Sequence, residues 1–368
     1  MQDTPSNTPR ERIAKLSRAL DRIVDRRIKV MEVCGTHTVS IFRQGLRSLL
    51  PASLELVSGP GCPVCVTDQA EIDAAVSLAR MEGITVATYG DMIKVPGSGT
   101  SLLEERSRGM DVRVVTSADQ ALSLARNCRD RTVVLIAVGF ETTAPATASV
   151  ILDARSEGLE NFLVLDLHKS VPPALKALAS DPLVKLDAFL LPGHVSVITG
   201  LTPYRFLPEE HGIACAVAGF EAEEIMIGLL ETARQVKTGK LGVASLYSRA
   251  VRPEGNPAAR AVIEKVFTYA DAPWRGLGII PSSGYVIREE FAQFDALKRL
   301  DIPLSAVPPP EGCLCGEVLR GLIEPPSCPL FGCECTPNHP VGPCMVSTEG
   351  SCAAFLKFHQ GGDNPWED

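Results

Sequence analysis

The sequence is short of several things, and each shortage removes a class of function. It has no surplus of positive charge: 36 Lys+Arg stand against 44 Asp+Glu, a formal net charge of −8 and a pI near 5.4. That argues against a nucleic-acid partner or an anionic membrane held by bulk electrostatics. No long hydrophobic run is present either. The longest neutral stretch, Ala188–Tyr204, is interrupted by Pro192, Gly193, His194, Gly200 and Pro203, so no membrane-spanning helix is expected. The first 27 residues lack an apolar core of signal-peptide length, which leads to the expectation of a cytoplasmic protein. Aromatic residues are few, at 5%. Composition is otherwise ordinary, with 45% hydrophobic and 22% charged residues, which excludes wholesale disorder and fibrous repeats.

What is present begins with length and periodicity. A chain of 368 residues exceeds one typical core, so two or three domains are expected. After Pro9 an amphipathic helix runs to about Arg27. From Lys29 onward short β-rich runs alternate with helical stretches, the pattern of an α/β fold. One set of strands, Ile28–Val33, Leu54–Val57, Thr85–Tyr89 and Val112–Val115, suggests a first domain over 28–130. A second set, Val133–Val138, Phe162–Leu167, Ala188–Leu191 and Ala214–Val217, suggests another over 131–250. Nearly continuous apolar strands such as Val133–Val138 suit parallel, doubly wound sheets covered on both faces. Two such domains would face a cleft. Residues 1–27 and 251–368 are expected to make a smaller third domain.

The cysteines carry the chemistry. Seven of 12, Cys313, Cys315, Cys328, Cys333, Cys335, Cys344 and Cys352, fall within one 40-residue segment. In a reducing compartment such clustering reads as metal ligation or redox work before structural disulfides. Four thiolates suffice for a [4Fe–4S] cluster, and zinc is the rival. Spacing does not decide between Cys313 and Cys315, and Cys333 can stand in for a neighbour. Near the start, Cys34-Gly-Thr-His-Thr38 follows a predicted strand, where Cys34 and His37 can ligate a metal or the histidine can favour the thiolate. Gly59-Pro-Gly-Cys-Pro-Val-Cys65 also follows a strand and precedes a helix. Its Cys62 and Cys65 have the Cys-x-x-Cys spacing of thiol–disulfide exchangers, and the chain holds no second Cys-x-x-Cys to complete a zinc site. Cys128 and Cys215 stand alone and read as small buried hydrophobes. Pro96-Gly-Ser-Gly-Thr-Ser101 lacks the Lys-Ser/Thr ending of a phosphate loop and reads as a turn. Asp91, Glu141, His168 and His194 each lie just beyond a predicted strand and are expected to line the cleft.

These motifs together resemble the HypD family of [NiFe]-hydrogenase maturation proteins over nearly the whole length. The resemblance rests on Met31-Glu-Val-Cys-Gly-Thr-His-Thr38, Gly59–Cys65, Tyr89-Gly-Asp91, Gly139-Phe-Glu-Thr-Thr143, Ala188-Phe-Leu-Leu-Pro-Gly-His-Val-Ser196, Trp274-Arg-Gly-Leu-Gly278 and Cys328-Pro-Leu-Phe-Gly332. It implies two α/β domains, a third with a [4Fe–4S] cluster, and a scaffold on which an Fe(CN)2(CO) unit is assembled with the small chaperone HypC and the cyanide donor HypE. The hydrogenase large subunit would receive that unit. By the same resemblance Cys34 ligates the nascent iron, and Cys62 and Cys65 form a thiol–disulfide pair beside it. Cys313, Cys328, Cys335 and Cys352 hold the cluster, with Cys315 and Cys344 as a redox pair, as in ferredoxin–thioredoxin reductase. A cluster-dependent thiol–disulfide reductase is the alternative function. Cys34, His37, Cys62 and Cys65 are expected at one cleft, with Cys315, Cys344 and the cluster farther away.

Overall fold

The computed structural model describes residues 8–359. In chain order the parallel strands are β1 (Ile28–Glu32), β2 (Leu54–Ser58), β3 (Ile84–Thr88), β4 (Val112–Val114), β5 (Thr132–Ala137), β6 (Phe162–Asp166), β7 (Ala188–Pro192), β8 (Ala214–Ala218) and β9 (Val243–Ser245). A hairpin follows, β10 (Phe267–Trp274) and β11 (Gly278–Ile287). The α/β class and the parallel sheets agree with the sequence reading. How the strands are shared out does not.

One sheet has the order β2-β1-β7-β8-β9 and the other β4-β3-β5-β6. The expected split at residue 130 therefore needs correction. After β2 the chain leaves the first sheet unfinished, builds the whole second sheet over 84–166, and returns so that Val30 pairs with Ala188 and Met31 with Phe189. The second sheet is inserted between two halves of the first. Neighbouring strand order in a parallel sheet is set by crossovers, and these leave no mark on the local apolar pattern.

Both sheets are buried on both faces, as alternation along each strand shows. In the first sheet Val30, Leu56 and Leu190 pack under the helices Pro9–Ile23 and Ala222–Thr238, whereas Met31, Val57, Phe189 and Leu191 point into a different cluster. Each fully buried Val, Leu or Ile contributes roughly 1.5–3 kcal/mol. Chain ends correct the sequence reading again. The helix Pro9–Ile23, started by a Thr8/Glu11 capping box, joins the first sheet, and its Arg12 pairs with Glu223 at 2.8 Å. It does not join the tail. Nor does the tail have a core of its own: Cys315, Leu319, Cys335, Cys344, Met345 and Cys352 are buried in the same cluster as Met31, Val57 and Trp274. Its last helix, Ser351–His359, packs against the helix Gly35–Arg43.

Candidate functional site

Two strand ends and the tail meet at one place. Cys34 stands two residues beyond β1, at the N-cap position of the helix Gly35–Arg43, and Cys62 caps the short helix Pro63–Val66 after β2. The two loops are zipped together: Gly59 N–H donates to the Glu32 carbonyl at 2.8 Å and Gly35 N–H to the Gly61 carbonyl at 3.0 Å. Only glycine fits at 61, because a Cβ there would lie 2.4 Å from the Cys34 Cα. Cys62 and Cys65 are joined by a disulfide, with Cα atoms 5.2 Å apart.

Burial sets the electrostatics around Cys34. The side chain is 8% exposed, and burial pushes its thiol up to about 12, with the carboxylates of Glu349 and Glu32 adding to the shift. Backbone N–H groups of His37 and Thr36, at the start of the helix, act in the opposite direction. Glu32 accepts from Cys34 N–H at 3.1 Å and from the Thr38 hydroxyl at 2.5 Å; burial raises its carboxyl to about 7. His37 is fully buried. Its Nε2 lies 2.8 Å from the Gly219 carbonyl and so carries the proton, which leaves Nδ1 a buried acceptor with no partner among the described residues. Burial lowers His37 to about 4. Phe220 stacks between His37, at 4.8 Å, and His194, at 4.0 Å.

The tail closes over these loops. Thr36 donates to Glu349 at 2.7 Å, while Asp91 accepts from Thr348 N–H and hydroxyl, both at 2.9 Å. Cys65 Sγ lies 3.9 Å from the Pro343 carbonyl, immediately before Cys344, and Cys344 Sγ is 2.6 Å from Cys315 Sγ. Cys315 and Cys344 are therefore near neighbours of Cys62 and Cys65, not remote as the sequence suggested. The hairpin turn completes the contact. Arg275 donates to the Thr67 carbonyl at 3.0 Å and to Gln69 Oε1 at 2.9 Å, and Gly276 presses on Gly316, where a Cβ would meet its Cα at 2.2 Å.

Cys313, Cys315, Cys328, Cys335, Cys344 and Cys352 line one small pocket whose other walls include Val318, Leu330, Phe331 and Met345. Cys333 is exposed and outside it. As the side chains stand, no three His, Cys, Asp or Glu among the described residues are arranged to hold a single metal ion. The donor set nonetheless suits an iron–sulfur group: thiols in an apolar enclosure, with Val341 N–H donating to Cys335 Sγ at 3.4 Å. Hydrogen bonds from Cys313 and Cys344, aided by the charge of Arg275, favour the thiolate of Cys315, and Cys344 is correspondingly raised.

The four residues expected to line one cleft are dispersed. His194 belongs to the Cys34 cluster and Asp91 anchors the tail. His168 is buried between Asp166, at 2.5 Å, and Thr143, at 3.1 Å. Glu141 faces a separate cavity. Glu349 carried no sequence signal, whereas Phe220, in Ala218-Gly-Phe-Glu-Ala222, and Arg275 stood inside noted stretches without a role.

The sequence matches the HypD family, described as "Hydrogenase formation hypA family", over residues 10–359. The chain belongs to the HypD family. It is 40% identical over 351 residues to the hydrogenase maturation factor HypD of Rhodobacter capsulatus, covering 94% of this chain and 93% of that one. With its counterpart in Cupriavidus necator the figures are 41% over 363 residues and 96% of both chains, and in Azotobacter vinelandii 42% over 358 residues, 95% and 94%. Like its relatives by name, this HypD-family chain is a hydrogenase maturation factor. Among its described residues no helix is long and apolar enough to cross a membrane.

Proposed function

We propose that the chain is the cytoplasmic scaffold on which the Fe(CN)2(CO) unit of [NiFe]-hydrogenase is assembled, in complex with HypC and supplied with cyanide by HypE. What supports this is the unbroken packing of three cysteine groups: Cys34 on Gly61, the Cys62–Cys65 helix on Pro343, and Cys344 on Cys315.

The nascent iron is cargo. Cys34 binds it as a thiolate, a soft ligand suited to the low-spin ferrous state that cyanide and carbonyl require. Because burial holds the Cys34 proton tightly, iron binding must release it, and the Thr36 and His37 amides then stabilise the anion. Cys313, Cys328, Cys335 and Cys352 would hold a [4Fe–4S] cluster, which supplies one-electron chemistry beside the thiol pair. Cys315, the thiol most disposed to ionise, and Cys344 can pass two electrons and two protons to the Cys62–Cys65 disulfide by exchange through a mixed disulfide. One pair is oxidised to a disulfide as the other is reduced to thiols.

The test is anaerobic co-purification with HypC followed by infrared spectroscopy in the cyanide and carbonyl stretching region. The native chain should give the bands of Fe(CN)2(CO), and Cys34→Ala should lose them while keeping its fold and cluster iron. Bands retained in Cys34→Ala would sink the assignment.

A further inference from the structure

The cavity around Glu141 takes no part in this chemistry. Glu141 follows β5 and Ser170 follows β6, so both lie beyond the carboxyl ends of parallel strands, where open α/β sheets take ligands. The residues after β7, the helix Pro257–Val266 and the β10–β11 hairpin complete the walls, enclosing about 560 Å³. That is within the usual range for small-molecule sites.

The inner end of the cavity is polar and only partly used. Glu141 is 3% exposed; it accepts from the Ser170 hydroxyl at 2.8 Å and from Val171 N–H at 3.0 Å, both at Oε1. Its Oε2 is buried with no partner among the described residues, and the hydroxyl of Tyr285, which lines the same cavity, makes no hydrogen bond of good geometry there, although the Tyr269 and Ser170 side chains lie close to it. Buried polar atoms in folded proteins almost always have partners. Two idle ones in one cavity, an acceptor and a donor, mark a complementary ligand group. Ser282, at the rim, holds a left-handed φ of 51°, a conformation uncommon for a side-chain-bearing residue and frequent at ligand sites.

The rest of the lining narrows the chemistry. Pro172, Pro173, Ile198, Pro203 and Ile263 give apolar walls, while Glu254 and Glu264 outnumber Arg260 at the mouth. Counted with Glu141, the acidic groups disfavour an anion. Burial raises Tyr285 far above the ordinary phenol range, so its hydroxyl stays a donor.

We propose that this cavity binds a small non-anionic molecule bearing a primary amide, whose N–H donates to Glu141 Oε2 and whose carbonyl accepts from the Tyr285 hydroxyl. The probe is benzamide, titrated into the full chain by calorimetry at about pH 8, above the raised range of Glu141, so that the carboxyl is ionised and Oε2 is an acceptor, with benzoate as the anionic molecule of the same shape. Benzamide should bind saturably and benzoate at least about tenfold more weakly, a difference of about 1.4 kcal/mol. Glu141→Gln keeps the Oε1 contacts but replaces the idle acceptor with a donor, and should weaken benzamide by at least about tenfold. Tyr285→Phe removes the donor alone and should weaken it as well, which keeps the question answerable if Glu141→Gln does not fold. Thermal melting establishes that each variant is folded. Failure of benzamide to saturate the native chain, equal binding of benzoate, or undiminished benzamide affinity in either folded variant would overturn the proposal.

Discussion

Gly61 and Cys34 are in backbone contact: a Cβ at 61 would stand 2.2 Å from the Cys34 nitrogen. This closeness couples the ends of β1 and β2. Gly61→Ala must push the two loops apart, at a cost of about 1–3 kcal/mol as for other overpacking, measurable by chemical denaturation. Because the displaced backbone carries Cys34 itself, iron co-purifying with HypC should fall along with stability.

Arg275 holds the segment after the Cys62–Cys65 helix and lends its charge to Cys315. Its replacement by Gln would leave the buried Thr67 carbonyl short of a donor, destabilising the fold by about 1–3 kcal/mol. The Cys315 thiol would rise at the same time. A titration of thiolate absorbance in the reduced protein checks this, and an unmoved curve would show that Cys313 and Cys344 alone govern Cys315.

Cys328 and Cys333 are five positions apart but differ in exposure. Cys328 lines the tail pocket, whereas Cys333 faces solvent. Cys328→Ala should lose cluster iron and stability together, and Cys333→Ala should keep both. Iron and sulfide analysis of the two anaerobically purified variants decides the ligand.

Burial raises Glu141 from 4.5 to about 7. The folded chain therefore keeps this proton while the unfolded chain releases it, and stability falls as pH rises from about 4.5 to 7. Across the window the loss is on the order of 3 kcal/mol. Glu32 behaves in the same sense, whereas His37, lowered to about 4, gains stability with rising pH. Glu141→Gln should remove the contribution of Glu141 alone, leaving those of Glu32, Glu71 and Asp295, which burial also raises. Urea denaturation between about pH 5 and pH 8 should show the variant improving relative to the native chain toward the alkaline end.

Eight of the nine parallel strands were legible because each is a short apolar run closed by a turn, whereas β9, three half-buried residues at the sheet edge, gave no such run; the helices Ala118–Asn127 and Ala222–Thr238 show in the sequence as stretches rich in Ala and Leu between strands. Three other things were not legible. Gly35-Thr-His-Thr38 reads as a flexible turn, but a helix begins there because the tail covers it. The β10–β11 hairpin hides behind Pro273, Gly276, Gly278 and Gly284, which look like breakers; Gly276 and Gly278, with φ of 78° and 75°, make the turn, and Gly284 faces Ala272 where a Cβ would not fit. Strand order was illegible throughout, since nothing near Val30 announces Ala188. For the site, Cys34 and the Cys62–Cys65 pair were plain in the spacing, whereas Asp91, Glu141, His168 and His194 share a position after a strand and yet face four different surroundings.

Because β1 waits for β7, the nascent chain cannot pair the second edge of β1 until residues 188–192 have left the ribosome. At about 5–20 residues per second this is roughly 8–30 s after β1 emerges. During that interval Cys34, Cys62 and Cys65 are present on an unclosed half-sheet, and the helix Ser351–His359 that covers Cys34's own helix arrives last of the described elements. Burial of the Cys34 thiol is thus delayed until this helix has been made, and the thiol is more open to oxidants in the growing chain than in the folded one, where it is 8% exposed.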